Sequence, residues 1–91
     1  MKVAVSGSDG FIGRNVCEQL LIDGHVIVPL DITNGIDLCD SKVIDLVPEI
    51  DCFIHLANLV YVPDSYINPA KFYRVNYLTT LNALEVCRKW N

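Results

Sequence analysis

Gly7, Gly10 and Gly13, each separated from the next by two residues, directly follow the apolar run Val3-Ala4-Val5, and their type and spacing suit ligand chemistry best in this chain. A glycine at the end of a strand lets the chain reverse tightly, a second lets backbone approach a ligand with no Cβ in the way, and a third lets the next helix press against the sheet. The N–H groups left free at the start of that helix, backed by the positive end of the helix dipole, need an anion. The pyrophosphate of a dinucleotide supplies one. Asp31 ends the next apolar run, close to the offset of about 20 residues at which a carboxylate meets the ribose of such a ligand.

A carboxylate in that place accepts both ribose hydroxyls of an adenosine and repels a 2′-phosphate, and no Arg or Lys stands between Asp31 and Asp40. The cofactor expected is therefore NAD, not NADP. Two plainer readings compete: three glycines can mark a flexible surface loop, and Asp31-Ile32-Thr33-Asn34-Gly35 is good turn chemistry in its own right. The context favours the nucleotide, because the glycines join an apolar strand to an amphipathic segment and Asp31 follows the second strand.

Placing these residues together takes alternating strands and helices. Ile12, Val16 and Leu20, with Cys17 and Leu21 alongside, recur at helical spacing from Phe11 to about Ile22, and Asp23-Gly24 stops the helix. His25–Leu30 reads as the second strand, disturbed near Pro29, and Ile36-Asp37-Leu38 as a short third one. Asp40-Ser41 caps a helix from about Lys42 to Val47, which Pro48 ends. Asp51–Ala57 is a near-continuously apolar fourth strand, as expected of a strand covered on both faces. Leu59–Asn68 is the longest loop, after which Asn68 caps and Pro69 opens a helix running to about Arg88 or Lys89. The expected fold is α/β, with four parallel strands in the order 3-2-1-4 and right-handed crossovers.

Gly7-x-x-Gly10-x-x-Gly13, with Phe11 and Ile12 ahead of the third glycine, resembles the pattern of the extended short-chain dehydrogenase/reductases, the NAD-dependent epimerase/dehydratases that act largely on nucleotide sugars. The resemblance runs over essentially the whole chain and implies the first part of a Rossmann domain, since members are usually several times longer. It implies cofactor contacts at Gly7, Gly10, Phe11, Ile12 and Gly13, and places Asp37 and Leu38 beside the adenine. The strand end His55-Leu56-Ala57-Asn58 resembles the family's His-hydrophobic-Ala-Ala, with Asn58 in place of the second alanine. Leu56, Ala57 and Asn58 then pass the nicotinamide ribose and pyrophosphate, and Asn58 either adds a hydrogen bond or faces the loop. Val75-Asn76-Tyr77 is similar to the family's Val-Asn-Val, which puts Asn76 near the nicotinamide, while Thr79 stands where glycine is usual. Tyr61 and Tyr66 lie in a loop that borders the substrate in the family; they either touch it or pack. His55, inside a buried strand, is expected to be a packed histidine bonded to backbone.

The family's chemistry depends on a Tyr-x-x-x-Lys pair, and no tyrosine here has lysine four residues on: Tyr61, Tyr66, Tyr73 and Tyr77 lead to Ser65, Ala70, Tyr77 and Leu81. The chain is thus expected to carry a cofactor half-site with no catalytic residues. Three readings follow: the NAD-binding N-terminal portion of an epimerase, dehydratase or reductase; a stand-alone nucleotide-binding module; or a protein-interaction module that uses the fold as scaffold.

Composition bounds these readings. At 91 residues, 52% hydrophobic and 20% charged, the chain has the balance of one globular domain or less. A net charge of −4 and the lack of a basic cluster argue against nucleic acid and anionic membranes. No apolar run reaches the roughly 18 residues of a membrane span. With no signal-peptide pattern at the start, a cytoplasmic location is expected. Cys17, Cys39, Cys52 and Cys87 show neither metal-site pairing nor the density of a disulfide scaffold, so reduced, mostly buried thiols are expected and no metal site. An open, apolar fourth strand and a last helix with two apolar stripes point to self-association through one or both. One stripe comprises Phe72, Val75, Thr79, Ala83 and Val86, the other Tyr77, Leu78, Leu81 and Leu84.

Overall fold

The computed structural model describes residues 1–90. Strand β1 (Lys2–Ser6) leads through the glycine turn into helix α1 (Phe11–Ile22) and strand β2 (Val26–Leu30). A 3-10 turn (Ile32–Asn34), a short helix α2 (Val43–Leu46) and strand β3 (Cys52–His55) follow, then helices α3 (Val62–Ile67) and α4 (Pro69–Trp90). The sheet is parallel throughout, with β1 between β2 and β3; Lys2 to Ser6 face Val26 to Leu30 on one side, and Val3 to Ser6 face Cys52 to His55 on the other. A central strand buried on both faces has to be apolar along its length, and Val3, Ala4 and Val5 are all buried.

Side chains alternate across a strand, so Ala4 and its cross-strand neighbours face one layer while Val3 and Val5 face the other. The Ala4 side carries the main core: Ala4 and Leu30 pack with Leu38, Val43, Val47, Ile50 and Val86, beneath α2 and α4. Trp90 donates its indole N–H to the Val47 carbonyl at 3.2 Å and closes the end of this layer. Helix α1 packs on β1 and β2, with Gly13 as its one buried residue.

Among the described residues the sheet has three strands in the order β2-β1-β3, not the expected four in the order 3-2-1-4. Residues Ile36, Asp37 and Leu38 form no strand because their polar groups are committed elsewhere. The Ile36 N–H reaches back to the Asp31 carbonyl at 3.2 Å, and the Asp37 carboxylate accepts the Cys39 N–H at 2.9 Å in a tight side-chain turn. The Leu38 carbonyl takes the buried Asn82 amide of α4 at 2.7 Å. Leu38 still enters the core, so the segment contributes its apolar side chain without joining the ladder. Pro29, with no N–H to donate, lies on the neighbouring outer strand.

Smaller corrections concern the second half. Six residues of the expected loop Leu59–Asn68 coil into α3, with Pro63 in its first turn. Asn68 caps α4 as expected, accepting the Lys71 N–H at 3.2 Å. None of the four cysteines is fully buried and Cys52 is exposed; all are free thiols. On α4, Thr79, Ala83 and Val86 are buried with Phe72 and Val75 half-buried, whereas Tyr77, Leu81 and Leu84 face solvent. Among the described residues no helix is long and apolar enough to cross a membrane.

Candidate functional site

In an open parallel sheet, ligands bind beyond the C-terminal ends of the strands. Here β1 ends at Ser6 and the chain turns at Gly7, whose φ of +68° only glycine adopts without strain. The Gly7 N–H bonds the Leu30 carbonyl at 2.8 Å, tying the turn to β2, and a Cβ at Gly7 would sit 3.0–3.1 Å from the Leu56 and Ala57 backbone. Gly13 is held tighter still: a Cβ there would lie 2.0 Å from the Gly7 carbonyl oxygen. The turn and the first turn of α1 thus pack backbone on backbone. At Gly10 a Cβ would meet the Gly7 oxygen at 3.3 Å and otherwise point to open space.

Asp31 stands beside this turn. Its carboxylate accepts the Asp9 N–H at 3.0 Å and the Thr33 N–H at 3.1 Å, linking the glycine turn to the end of β2. The Thr33 hydroxyl is within reach of both Asp31 and Asp9, and since it has one proton, donating to Asp9 frees a lone pair on Asp31. Partial desolvation pulls the Asp31 carboxyl upward, but the bonds from Thr33, Asp9 and Ile32 together outweigh it and hold the carboxyl below its ordinary value. Asp31 is therefore an anion at neutral pH.

A groove of about 540 Å³ opens here. It brings together eight residues singled out from the sequence: Gly7, Gly10, Asp31, Asp37, Leu38, Leu56, Ala57 and Asn58. Four others do not line it. Phe11 and Ile12 are exposed at the start of α1, Gly13 is buried under the turn, and Asn76 ties down the loop after β3. Asn76 donates to the Leu59 carbonyl at 3.0 Å and accepts the Leu59 N–H at 2.8 Å, so it holds the groove wall from behind. The Thr79 hydroxyl of α4 is within reach of both the Asn58 side-chain oxygen, at 3.3 Å, and the Asn76 carbonyl, at 3.4 Å.

The groove also contains residues that sequence reasoning missed, namely Lys71, Arg74, Val75 and Thr79 of α4. Their spacing of three, one and four residues is one helical stripe, which is the signal that marks them. Cys39 also lines the groove; burial and the Asp37 carboxylate raise its thiol above the ordinary value, while the Arg74 charge pulls the other way. A larger hollow, about 610 Å³, lies at the opposite end of β3 beside Ile50–Phe53 and contains none of the glycine turn.

His55 bonds to hydroxyls, not to backbone as expected: Ser6 Oγ is 2.7 Å from its Nδ1 and Thr80 Oγ1 is 3.3 Å from its Nε2. Burial lowers its pKa, against a smaller opposing effect from Asn58. Among the described residues no cluster of His, Cys, Asp or Glu is arranged to hold a metal.

A parallel sheet whose first strand ends in a glycine turn against a helix start, with a carboxylate at the end of the second, matches known proteins along its whole length. The model of the NAD dependent epimerase/dehydratase family matches residues 3–91. The chain belongs to that family. Human sterol-4-alpha-carboxylate 3-dehydrogenase, decarboxylating, is 33% identical over 97% of this chain and 26% of its own length. GDP-6-deoxy-D-mannose reductase of Pseudomonas aeruginosa is 33% identical over 96% of this chain and 29% of its own. The UDP-glucose 4-epimerase of Thermus thermophilus, solved in complex with NAD, superposes with a TM-score of 0.87 at 30% identity, covering 99% of this chain and 34% of that one. The chain therefore spans about a quarter to a third of the length of these relatives. NAD is the cofactor of the family, and the groove fits it: an uncluttered backbone turn at a helix start, with an ionised carboxylate alongside.

Proposed function

We propose that this chain is the N-terminal, NAD-binding portion of a nucleotide-sugar epimerase, dehydratase or reductase. The observation that supports the reading is the link between Asp31 and the glycine turn, the Asp9 N–H bond of 3.0 Å, with the Asp31 carboxylate and the bare turn lining one groove. On this reading the free N–H groups at the start of α1 and the bare Gly10 backbone hold the pyrophosphate. Asp31 takes the adenosine ribose hydroxyls and excludes a 2′-phosphate, and Asp37 and Leu38 flank the adenine. Leu56, Ala57 and Asn58 form the wall towards the nicotinamide, a wall that Asn76 braces. Bound NAD supplies a hydride acceptor, and this chain binds and orients it.

The nucleotide-sugar assignment rests on the resemblance and on relatives such as the mannose reductase and the glucose epimerase. A sterol dehydrogenase is equally similar in identity. The exposed Tyr77, Leu81 and Leu84 and the outer edge of β3 make self-association part of the proposal. Calorimetric titration with NAD and NADP tests the cofactor half: NAD binding more tightly supports the reading, and equal or reversed affinity overturns it.

A further inference from the structure

Residues 36–39 all line the groove, yet they belong to no strand or helix. Most of what shapes them is local. The Asp37 carboxylate accepts the Cys39 N–H at 2.9 Å and the Asp37 carbonyl accepts the Asp40 N–H at 3.0 Å, which bends the segment without placing it against the rest of the fold. Placement falls to Leu38. Its side chain sits in the core, and its carbonyl accepts the Asn82 side-chain N–H at 2.7 Å. Among the described residues this is the one hydrogen bond that ties the backbone of residues 36–39 to a helix or strand.

Asn82 is an expensive residue for its place. It is 4% exposed, on the same buried stripe of α4 as Thr79, Ala83 and Val86, where an apolar side chain would pack without needing a partner. Asparagine is also a weaker helix former than leucine or alanine. What an amide supplies there, and an apolar side chain does not, is a fixed donor for one carbonyl. Asn82 itself does not line the groove. We propose that Asn82 is a positioning residue for the base of the dinucleotide: from inside the core it fixes the Leu38 carbonyl, and so holds Asp37 and Leu38 where they flank the adenine. The inference deepens the nucleotide reading above and rests on it. The glycine turn is fixed separately, through the Gly7 N–H and the Leu30 carbonyl, so the base and the pyrophosphate answer to different parts of the chain.

The test is an NMR titration with adenosine and with NAD of the full chain as wild type, Asn82→Leu and Val3→Ala. Asn82→Leu keeps the bulk and removes the donor, whereas Val3→Ala loosens the core on the opposite face of the sheet. Positioning through the carbonyl predicts that Asn82→Leu weakens adenosine and NAD by the same factor, roughly three- to tenfold, and that Val3→Ala leaves both unchanged. In the wild type the Asn82 side-chain amide protons should shift with the dissociation constant of adenosine, a readout that stands even if Asn82→Leu does not fold. Three results overturn the proposal. A folded Asn82→Leu chain that binds adenosine as the wild type does removes the positioning role, and equal weakening by Val3→Ala makes Asn82 one core residue among others. Asn82 side-chain amides that stay in place at saturating adenosine show that the carbonyl and the base are not coupled. Each leaves the nucleotide groove itself standing, whereas a wild-type chain that binds neither adenosine nor NAD removes both readings together.

Discussion

The Ser6 hydroxyl lies 2.7 Å from Nδ1 of His55, and the partners around the pair decide where the protons are. Ser6 Oγ already accepts the Leu56 N–H at 2.9 Å and the Ala57 N–H at 3.2 Å, which uses both of its lone pairs. Its one proton must go to His55 Nδ1. His55 is then the neutral tautomer with its proton on Nε2, given to Thr80 Oγ1 at 3.3 Å, while the Thr80 hydroxyl donates to the Asn76 carbonyl at 2.8 Å. One chain of hydrogen bonds runs from the end of β1, through β3, to the middle of α4, and it fixes the backbone of the groove wall.

Removing the hub of that chain should be costly. Ser6→Ala leaves the Ala57 N–H and the His55 ring nitrogen without their partner, at about 1–3 kcal/mol. Urea unfolding of the variant against the wild type reads this directly. A change within a few tenths of a kcal/mol would show that water replaces the hydroxyl.

The same chain gives a pH dependence. Protonated His55 would present a second N–H to a Ser6 oxygen that has no lone pair left, and burial, the larger cause, already lowers its pKa. With the folded value below the unfolded one, the unfolded chain binds more protons, so stability rises with pH in this window. The contribution is fully present above the unfolded value of about 6.5 and is lost as pH falls below it, levelling off beneath the folded value. Unfolding free energies at pH 7.5 and 5.5 should differ more for the wild type than for His55→Gln. An equal slope in the two would remove His55 as the source.

The glycine turn separates folding from binding. Gly13→Ala drives a Cβ to 2.0 Å from the Gly7 oxygen, so backbone must move, and the cost reaches the upper end of overpacking, about 3 kcal/mol. Gly10→Val meets only one neighbour, at 3.3 Å. It should leave the unfolding midpoint nearly in place while weakening NAD and NADP alike. Circular dichroism melts with parallel titrations check both; a Gly10→Val chain that binds as well as the wild type contradicts the cradle.

How far the sequence reaches depends on how local each signal is. The first strand, the glycine turn, α1 and Asp31 are legible because each rests on residues adjacent in the chain. Residues 36–38 read as a strand because their apolar pattern is that of one, yet the Asn82 amide, 44 residues away, takes the Leu38 carbonyl. Lys71 and Arg74 escape a reading that looks for cations between Asp31 and Asp40, because the fold brings them in from α4. The resemblance puts Asn76 near the nicotinamide; the fold adds that its side chain holds both the N–H and the carbonyl of Leu59, 17 residues away.

Association tests the outer face of α4. Tyr77 and Leu84 are more than half exposed and Leu81 joins them, an apolar stripe on a helix whose opposite side is already packed. Light scattering should show concentration-dependent dimers, and Leu81→Glu or Leu84→Glu should shift them to monomer. A concentration-independent monomer contradicts the association.

Asp31 carries the cofactor choice. Asp31→Ala should shrink the preference for NAD over NADP by removing the charge that repels a 2′-phosphate, and competition titrations of the two cofactors measure it. An unchanged ratio would assign the selectivity to another residue.

The most direct test of the account is where NAD touches the chain. In an NMR titration of the isotope-labelled protein, the amides of Gly7, Gly10, Asp31, Leu38 and Asn58 should shift together with one dissociation constant, lower for NAD than for NADP, while those beside the hollow at Ile50–Phe53 stay in place. Shifts confined to Ile50–Phe53, or none at saturating NAD, would contradict it.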